Sequence, residues 1–153
     1  MKPDIENIDL RNRLFIVRGI PGSGKTTLSR LIAIFIDNVT EGRAEHFATD
    51  MFWEKDGEYN FNPVRLDEAH KWCRRQVEAA LSEGVHSAVV HNTFSQRWEV
   101  TPYLDIADTY GYNPFILETQ NFFGSEHDIP ERTFDEIAGR FHDAVEVNRP
   151  DME

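Results

Sequence analysis

Eight consecutive residues, Gly19, Ile20, Pro21, Gly22, Ser23, Gly24, Lys25 and Thr26, carry the pattern G-x-x-x-x-G-K-T, with Thr27 directly behind them. Glycines at these spacings let backbone N–H groups converge on the phosphates of a nucleoside triphosphate. A helix beginning inside the pattern adds the partial positive charge of its N-terminus. Lys25 then neutralises γ-phosphate charge, and the Thr26 hydroxyl suits Mg²⁺. The chemistry is phosphate binding, and the same cradle serves transfer to water, to a small acceptor or to a macromolecule.

The flanking elements fit that cradle. Arg13 to Arg18 is a short run of apolar and β-branched residues ending at Gly19, which predicts a buried strand. From Lys25 to about Asp37, Leu28, Leu31, Ile32, Phe35 and Ile36 recur at helical spacing. Further strands are expected over Ala44 to Thr49, Val85 to His91 and Asn113 to Thr119, and Glu54 to Pro63 reads as an ordered surface loop. Helices are expected from Pro63 to the Gly84 region, where the longest one lies, from about Gln96 to Tyr110, and from about Thr133 to Val147. Pro63 suits a first helical turn, and Pro102 leaves the start of the third helix open. Strands alternating with helices predict an α/β, three-layer P-loop NTPase fold: a parallel sheet of about four to five strands flanked by helices, with ligand at the carboxyl ends of the strands.

At 153 residues the chain suits a single domain spanning 1–153, long enough to bury roughly two-thirds of the surface its unfolded form exposes. Apolar residues make up 40%, with eleven Phe and three Trp, which excludes global disorder. Cys73 is the only cysteine, so an intrachain disulfide and a multi-cysteine metal site are excluded. A cytoplasmic location is the expectation: no apolar leader pattern opens the chain, and the run from Leu31 to Ile36 is too short to span a membrane. The formal charge of −11 argues against extensive sequence-independent duplex binding but leaves room for a local basic pocket. Nothing in the sequence specifies a protein partner.

Asp50 stands at the end of the second expected strand, on the sheet edge that holds the loop. A carboxylate there takes a proton from an acceptor hydroxyl, although an Asp at a helix start also serves as an N-cap. Phe52, Trp53, Tyr59 and Phe61 cluster around it in sequence, as core packing or as a stacking surface for a base. Arg65, Lys71, Arg74 and Arg75 read either as phosphate contacts or as a solvated helix face shared with Asp67, Glu68 and Glu78.

The segments GIPGSGKTTLSR, ATDMFW, FNPVRLDEAHKWCRRQVEAALSEG and VVHNTFSQRWEVTPY resemble, in that order, the AAA_33-type P-loop kinases. That group includes phage polynucleotide 5′-hydroxyl kinase and related eukaryotic kinase-like domains, and the resemblance covers most of residues 13 to 118. It implies transfer of the ATP γ-phosphate, or that of another nucleoside triphosphate, to a hydroxyl on a nucleic acid 5′ end or nucleotide-like acceptor. Lys25 and Thr26 take the phosphate and Mg²⁺ roles and Asp50 the role of base, which favours that reading of Asp50. Asn92 and Thr93 match the family's N-T pair and line the cleft on the acceptor side; the other reading of this pair is a turn.

Two departures from the family pattern stand out. His91 precedes N-T where an acidic residue is usual, and Asn121 to Asp128 replaces a longer, arginine-rich lid. Candidates to supply the missing lid cation are Arg97, which follows the N-T turn, then Arg132 and Arg140. Other readings are a kinase of a hydroxymethylated base in DNA, a small-molecule kinase of a nucleoside, sugar or antibiotic, and a nucleotide-binding regulatory module with little catalysis.

Overall fold

The computed structural model describes residues 9–121, 123 and 131–143. Strand β1 (Arg13–Gly19) leads into helix α1 (Lys25–Val39), then strand β2 (Ala44–Ala48) and a 3₁₀ turn over Thr49–Phe52. Two short strands, β3 (Glu54–Lys55) and β4 (Glu58–Tyr59), precede a 3₁₀ turn at Pro63–Arg65 and helix α2 (Leu66–Ser82). Strand β5 (Ser87–Asn92), helix α3 (Arg97–Tyr110), strand β6 (Asn113–Thr119) and helix α4 (Glu131–Asp143) complete the order.

The main sheet is parallel with order β2-β5-β1-β6, so the strand that feeds the phosphate loop is flanked on both sides. Side chains alternate between its faces. Leu14 and Ile16 of β1, with Ala88 and Val90 of β5, join Cys73, Val77 and Leu81 of α2 and Val100, Tyr103 and Ala107 of α3 in one buried cluster. Phe15 points to the other face, where it lines one cavity with Leu31, Ile32, Phe35 and Ile36 of α1. The architecture is thus α/β in three layers, as the alternation of strands and helices predicts.

Three local expectations change. Glu54 to Pro63 is not a plain loop, because Glu54 pairs with Tyr59 and Lys55 with Glu58 across a two-residue turn. Asp56 and Gly57 both hold positive φ, 54° and 79°, which suits the twist of a tight hairpin. Helix α2 begins at Leu66, because Asn62 accepts the Val64 N–H and winds Pro63–Arg65 as a 3₁₀ turn ahead of it. The last helix spans Glu131–Asp143, and the expected continuation to Val147 lies outside the described residues. Pro102 sits inside α3, whose start is set by a capping box between Gln96 and Glu99. Helix α2, at 17 residues, is the longest among the described residues.

Candidate active site

The four strands end on one edge, and each exit contributes a piece of the site. From β1 the chain enters the phosphate loop, closed internally by the Ser23 N–H donating to the Ile20 carbonyl at 3.2 Å. Gly24 precedes α1 with φ of 90°, a conformation that costs an L side chain about 1–2 kcal/mol. Three neighbours brace the loop. The Gly19 N–H donates to the Thr93 carbonyl at 3.3 Å, and the Phe123 N–H donates to the Gly22 carbonyl at 2.7 Å. The Ser23 and Thr119 hydroxyls lie 2.5 Å apart.

Lys25 donates to the carbonyl of Ile20 at 2.9 Å, so its ammonium lies folded over the loop. Burial pulls its pKa down to about 8, and the nearby Asp50 carboxylate partly opposes that fall. A triphosphate in the loop would offer the ammonium several anionic oxygens in place of one carbonyl. Thr26 and Thr27 follow in the first turn of α1, half-buried and exposed respectively.

Asp50 projects from the turn after β2, exposed to solvent and within electrostatic reach of Lys25. It is not a cap; the residue at the N-cap position of that turn is Ala48. Its carboxylate accepts a hydrogen bond from the Tyr59 hydroxyl at 3.2 Å. Beneath it Trp53 is buried, 3% exposed, edge-on to Phe52 and Phe61, and Phe52 meets Trp72. Trp53 and Phe52 are therefore packing residues, while Phe61 keeps half its surface in solvent.

The Asn92 carboxamide turns sideways rather than toward the loop. Its oxygen accepts the Thr49 N–H at 2.8 Å, and its nitrogen faces Cys73 Sγ at 3.9 Å. It braces the turn that carries Asp50. Thr93 contributes its backbone carbonyl to the loop. Arg97 is exposed at the first residue of α3. Arg132 pairs with Glu136 on the surface of α4 at 3.2 Å, and Arg140 is exposed on the same helix. Along α2, Arg65 pairs with Glu68 and lies over Phe52, and Lys71 pairs with Asp67. Asn121 is exposed, Phe123 lies against Gly24, and most of the segment replacing the family's lid lies outside the described residues.

His91 lies on the α1 side of the sheet, stacked on His46 with ring centroids 4.7 Å apart. Burial first, then His46, Lys25 and Arg30, push its pKa down to about 3, so the imidazole stays neutral. Among the described residues no group of three or more His, Cys, Asp or Glu side chains could hold a metal. The Thr26 hydroxyl still fits Mg²⁺, which keeps several waters and takes further ligands from nucleotide phosphates.

Arg18 was not singled out by its sequence position. It is 6% exposed, donates to the carbonyls of Phe94 and Ser95, pairs with Glu118 at 3.1 Å and lies 4.1 Å from the Phe141 ring centroid. Burial lowers its pKa while Glu118 and Glu99 oppose the fall. It ties the exits of β1, β5 and β6 to α4. A charged residue near the end of an apolar strand was the available signal.

A family profile described as an AAA domain, AAA_33, matches residues 14–121. Human NEDD4-binding protein 2 is 29% identical over 110 residues, covering 72% of this chain and 6% of that protein. A chain of the Pnkp1/Rnl/Hen1 RNA repair complex superposes with a TM-score of 0.65 at 18% identity, covering 90% of this chain and 46% of that one. An APS kinase of Mycobacterium tuberculosis superposes at 0.55 with 17% identity, covering 89% of this chain and 98% of that one. The chain therefore spans a small part of the human relative and under half of the RNA repair chain, and the fold is the one used by P-loop kinases. No helix among the described residues is long and apolar enough to cross a membrane.

Proposed function

Because the chain belongs to the AAA_33 family of AAA domains, we propose that it transfers the γ-phosphate of ATP, or of another nucleoside triphosphate, to a hydroxyl group. One observation carries the reading: Asp50 leaves the sheet on the same carboxyl edge as the phosphate loop, within electrostatic reach of Lys25. This puts a proton acceptor beside a phosphate donor site.

In this reading Lys25 leaves the Ile20 carbonyl for the γ-phosphate, and loop N–H groups hold the β-phosphate. Asp50 takes the proton of the acceptor hydroxyl as its oxygen bonds to the γ-phosphorus. The bond to the β-phosphate bridging oxygen breaks, and ADP leaves. The Thr26 hydroxyl would hold Mg²⁺, which would supply positive charge to the transferring group. Asn92 holds the Asp50 turn, and Arg97, exposed at the start of α3, is the candidate for the lid cation.

The acceptor we favour is a polynucleotide 5′ end or a nucleotide-like molecule. The likeness of fold to a chain of an RNA repair complex and the half-exposed Phe61, packed on the Trp53 ring that follows the Asp50 turn, support it. The test incubates the protein with γ-labelled ATP, Mg²⁺ and a panel of 5′-hydroxyl oligonucleotides, hydroxymethylated DNA, nucleosides and sugars. Label in oligonucleotides is expected. Label confined to free nucleosides or sugars replaces the polynucleotide with a small acceptor, and ATP binding without any label rejects the kinase in favour of a regulatory module.

A further inference from the structure

An acceptor hydroxyl has to meet Asp50 at the β2 exit and the phosphate loop at the β1 exit, and β5 is the strand between those two. The chain leaving β5 therefore borders the acceptor, and it is held at several points. Phe94 has φ of 47°, a left-handed conformation rare for a bulky L residue, and its buried ring meets Tyr103 edge-on at 5.3 Å. Arg18 donates to the carbonyl of Phe94 at 3.0 Å and to that of Ser95 at 3.4 Å. Glu99 accepts from the Ser95 hydroxyl and from the Gln96 N–H, both at 2.8 Å, which fixes the first turn of α3.

On this fixed turn stands Trp98, 67% exposed. A buried indole removes a large apolar area from water, so a ring left in solvent on a rigid backbone forgoes that stabilisation. Core packing does not account for it, because the buried residues of α3, Val100, Tyr103 and Ala107, line the opposite side of the helix. The indole N–H donates to the side chain of Gln96 at the N-cap. The ring thus leans back over the start of α3, toward the carboxyl edge of the sheet.

We infer that Trp98 is an acceptor-binding residue, a stacking platform for the nucleobase next to the reacting hydroxyl. The inference rests on the proposed reading that the acceptor lies between Asp50 and the phosphate loop. Stacking suits this chain because it needs no charge, whereas a formal charge of −11 repels phosphates at long range. Every base has a π-face, so the platform takes any terminal base and favours a nucleotide over an acceptor without a planar group.

The experiment compares wild type, Trp98→Phe, Trp98→Ala and Leu31→Ala, an exposed apolar change on α1. Two acceptors are used, a 5′-hydroxyl oligonucleotide and the same oligonucleotide with an abasic 5′-terminal residue. Transfer from γ-labelled ATP gives kcat and acceptor KM, and fluorescence anisotropy gives oligonucleotide Kd without transfer. Trp98→Ala is expected to raise KM and Kd for the ordinary oligonucleotide about tenfold, with kcat and ATP Kd within about twofold of wild type. Trp98→Phe recovers most of the loss. The abasic acceptor binds wild type about tenfold more weakly and loses nothing further in Trp98→Ala. Leu31→Ala matches wild type throughout.

Oligonucleotide affinity unchanged in Trp98→Ala overturns the platform, and so do equal losses on the ordinary and the abasic acceptor. A loss of ATP affinity while inorganic tripolyphosphate still binds moves the ring to the donor base and likewise overturns it. A wild type that binds neither oligonucleotide yet labels an acceptor without a base overturns it and leaves the kinase intact. Binding that depends on both Trp98 and the terminal base, with no label reaching any acceptor, upholds stacking at Trp98 and rejects the phosphotransfer reading alone.

Discussion

Replacing Asn92 by Ala separates bracing from binding at the acceptor side. The Asn92 carboxamide oxygen accepts the N–H of Thr49, a residue 6% exposed, at 2.8 Å. Alanine leaves that donor buried without a partner, which costs about 1–3 kcal/mol. For a domain of this size, about 2 kcal/mol corresponds to a fall in melting temperature of about 4–8 °C. Thr49 opens the turn that holds Asp50, so the same change loosens the base. A displacement on the order of 1 Å costs up to about 100-fold in rate, and a partial displacement gives a fall in kcat of about 10- to 100-fold. The phosphate loop is braced separately, through the backbone of Thr93 and the hydroxyls of Ser23 and Thr119, so the ATP Kd should stay within about twofold. Thermal unfolding, titration with a non-hydrolysable ATP analogue and steady-state kinetics read the three quantities. A variant with wild-type stability and kcat would refute the bracing role. A large rise in ATP Kd at unchanged kcat would move Asn92 to the donor half.

Two further outcomes concern the donor half. Lys25 has a pKa lowered to about 8, and the triphosphate binds its charged form, so affinity for the ATP analogue should fall about tenfold between pH 7 and pH 9. Stability of the free protein runs the other way: between about pH 8 and pH 10.4 the unfolded chain binds the extra proton, so stability rises with pH across that window. Flat affinity over this range contradicts the assignment of Lys25. Gly24→Ala places a Cβ at φ of 90° and 3.4 Å from the Phe123 ring. It should cost about 1–2 kcal/mol in stability and weaken nucleotide binding more than tenfold, read by unfolding and titration together; unchanged nucleotide affinity contradicts it.

Much of this arrangement is legible in the residues themselves. The run ending at Gly19, the glycine spacing and the 3.6-residue period from Leu28 to Ile36 specify strand, loop and helix without long-range information. The hairpin left its signal in Asp56 and Gly57, but Glu54, Lys55, Glu58 and Tyr59 lack the apolar alternation that marks a half-buried strand. What the sequence hides is where side chains turn at the sheet edge. Asn92 shares its face of β5 with Ala88 and Val90, yet its bond to Thr49 depends on how β2 registers against β5. The ion pair between Arg18 and Glu118 spans 100 positions and exists only because β1 and β6 lie side by side. The bond from Tyr59 to Asp50 likewise needs the hairpin to fold back over the turn.

The central claim is that a donor loop and a separate base meet on one edge of the sheet, and a single-turnover comparison of wild type with Asp50→Asn tests it most directly. With labelled ATP saturating and a 5′-hydroxyl oligonucleotide as acceptor, the variant should bind ATP as wild type does and transfer phosphate at least about 100-fold more slowly. Transfer at the wild-type rate, or loss of ATP binding in step with transfer, would contradict the division of labour between Lys25 and Asp50.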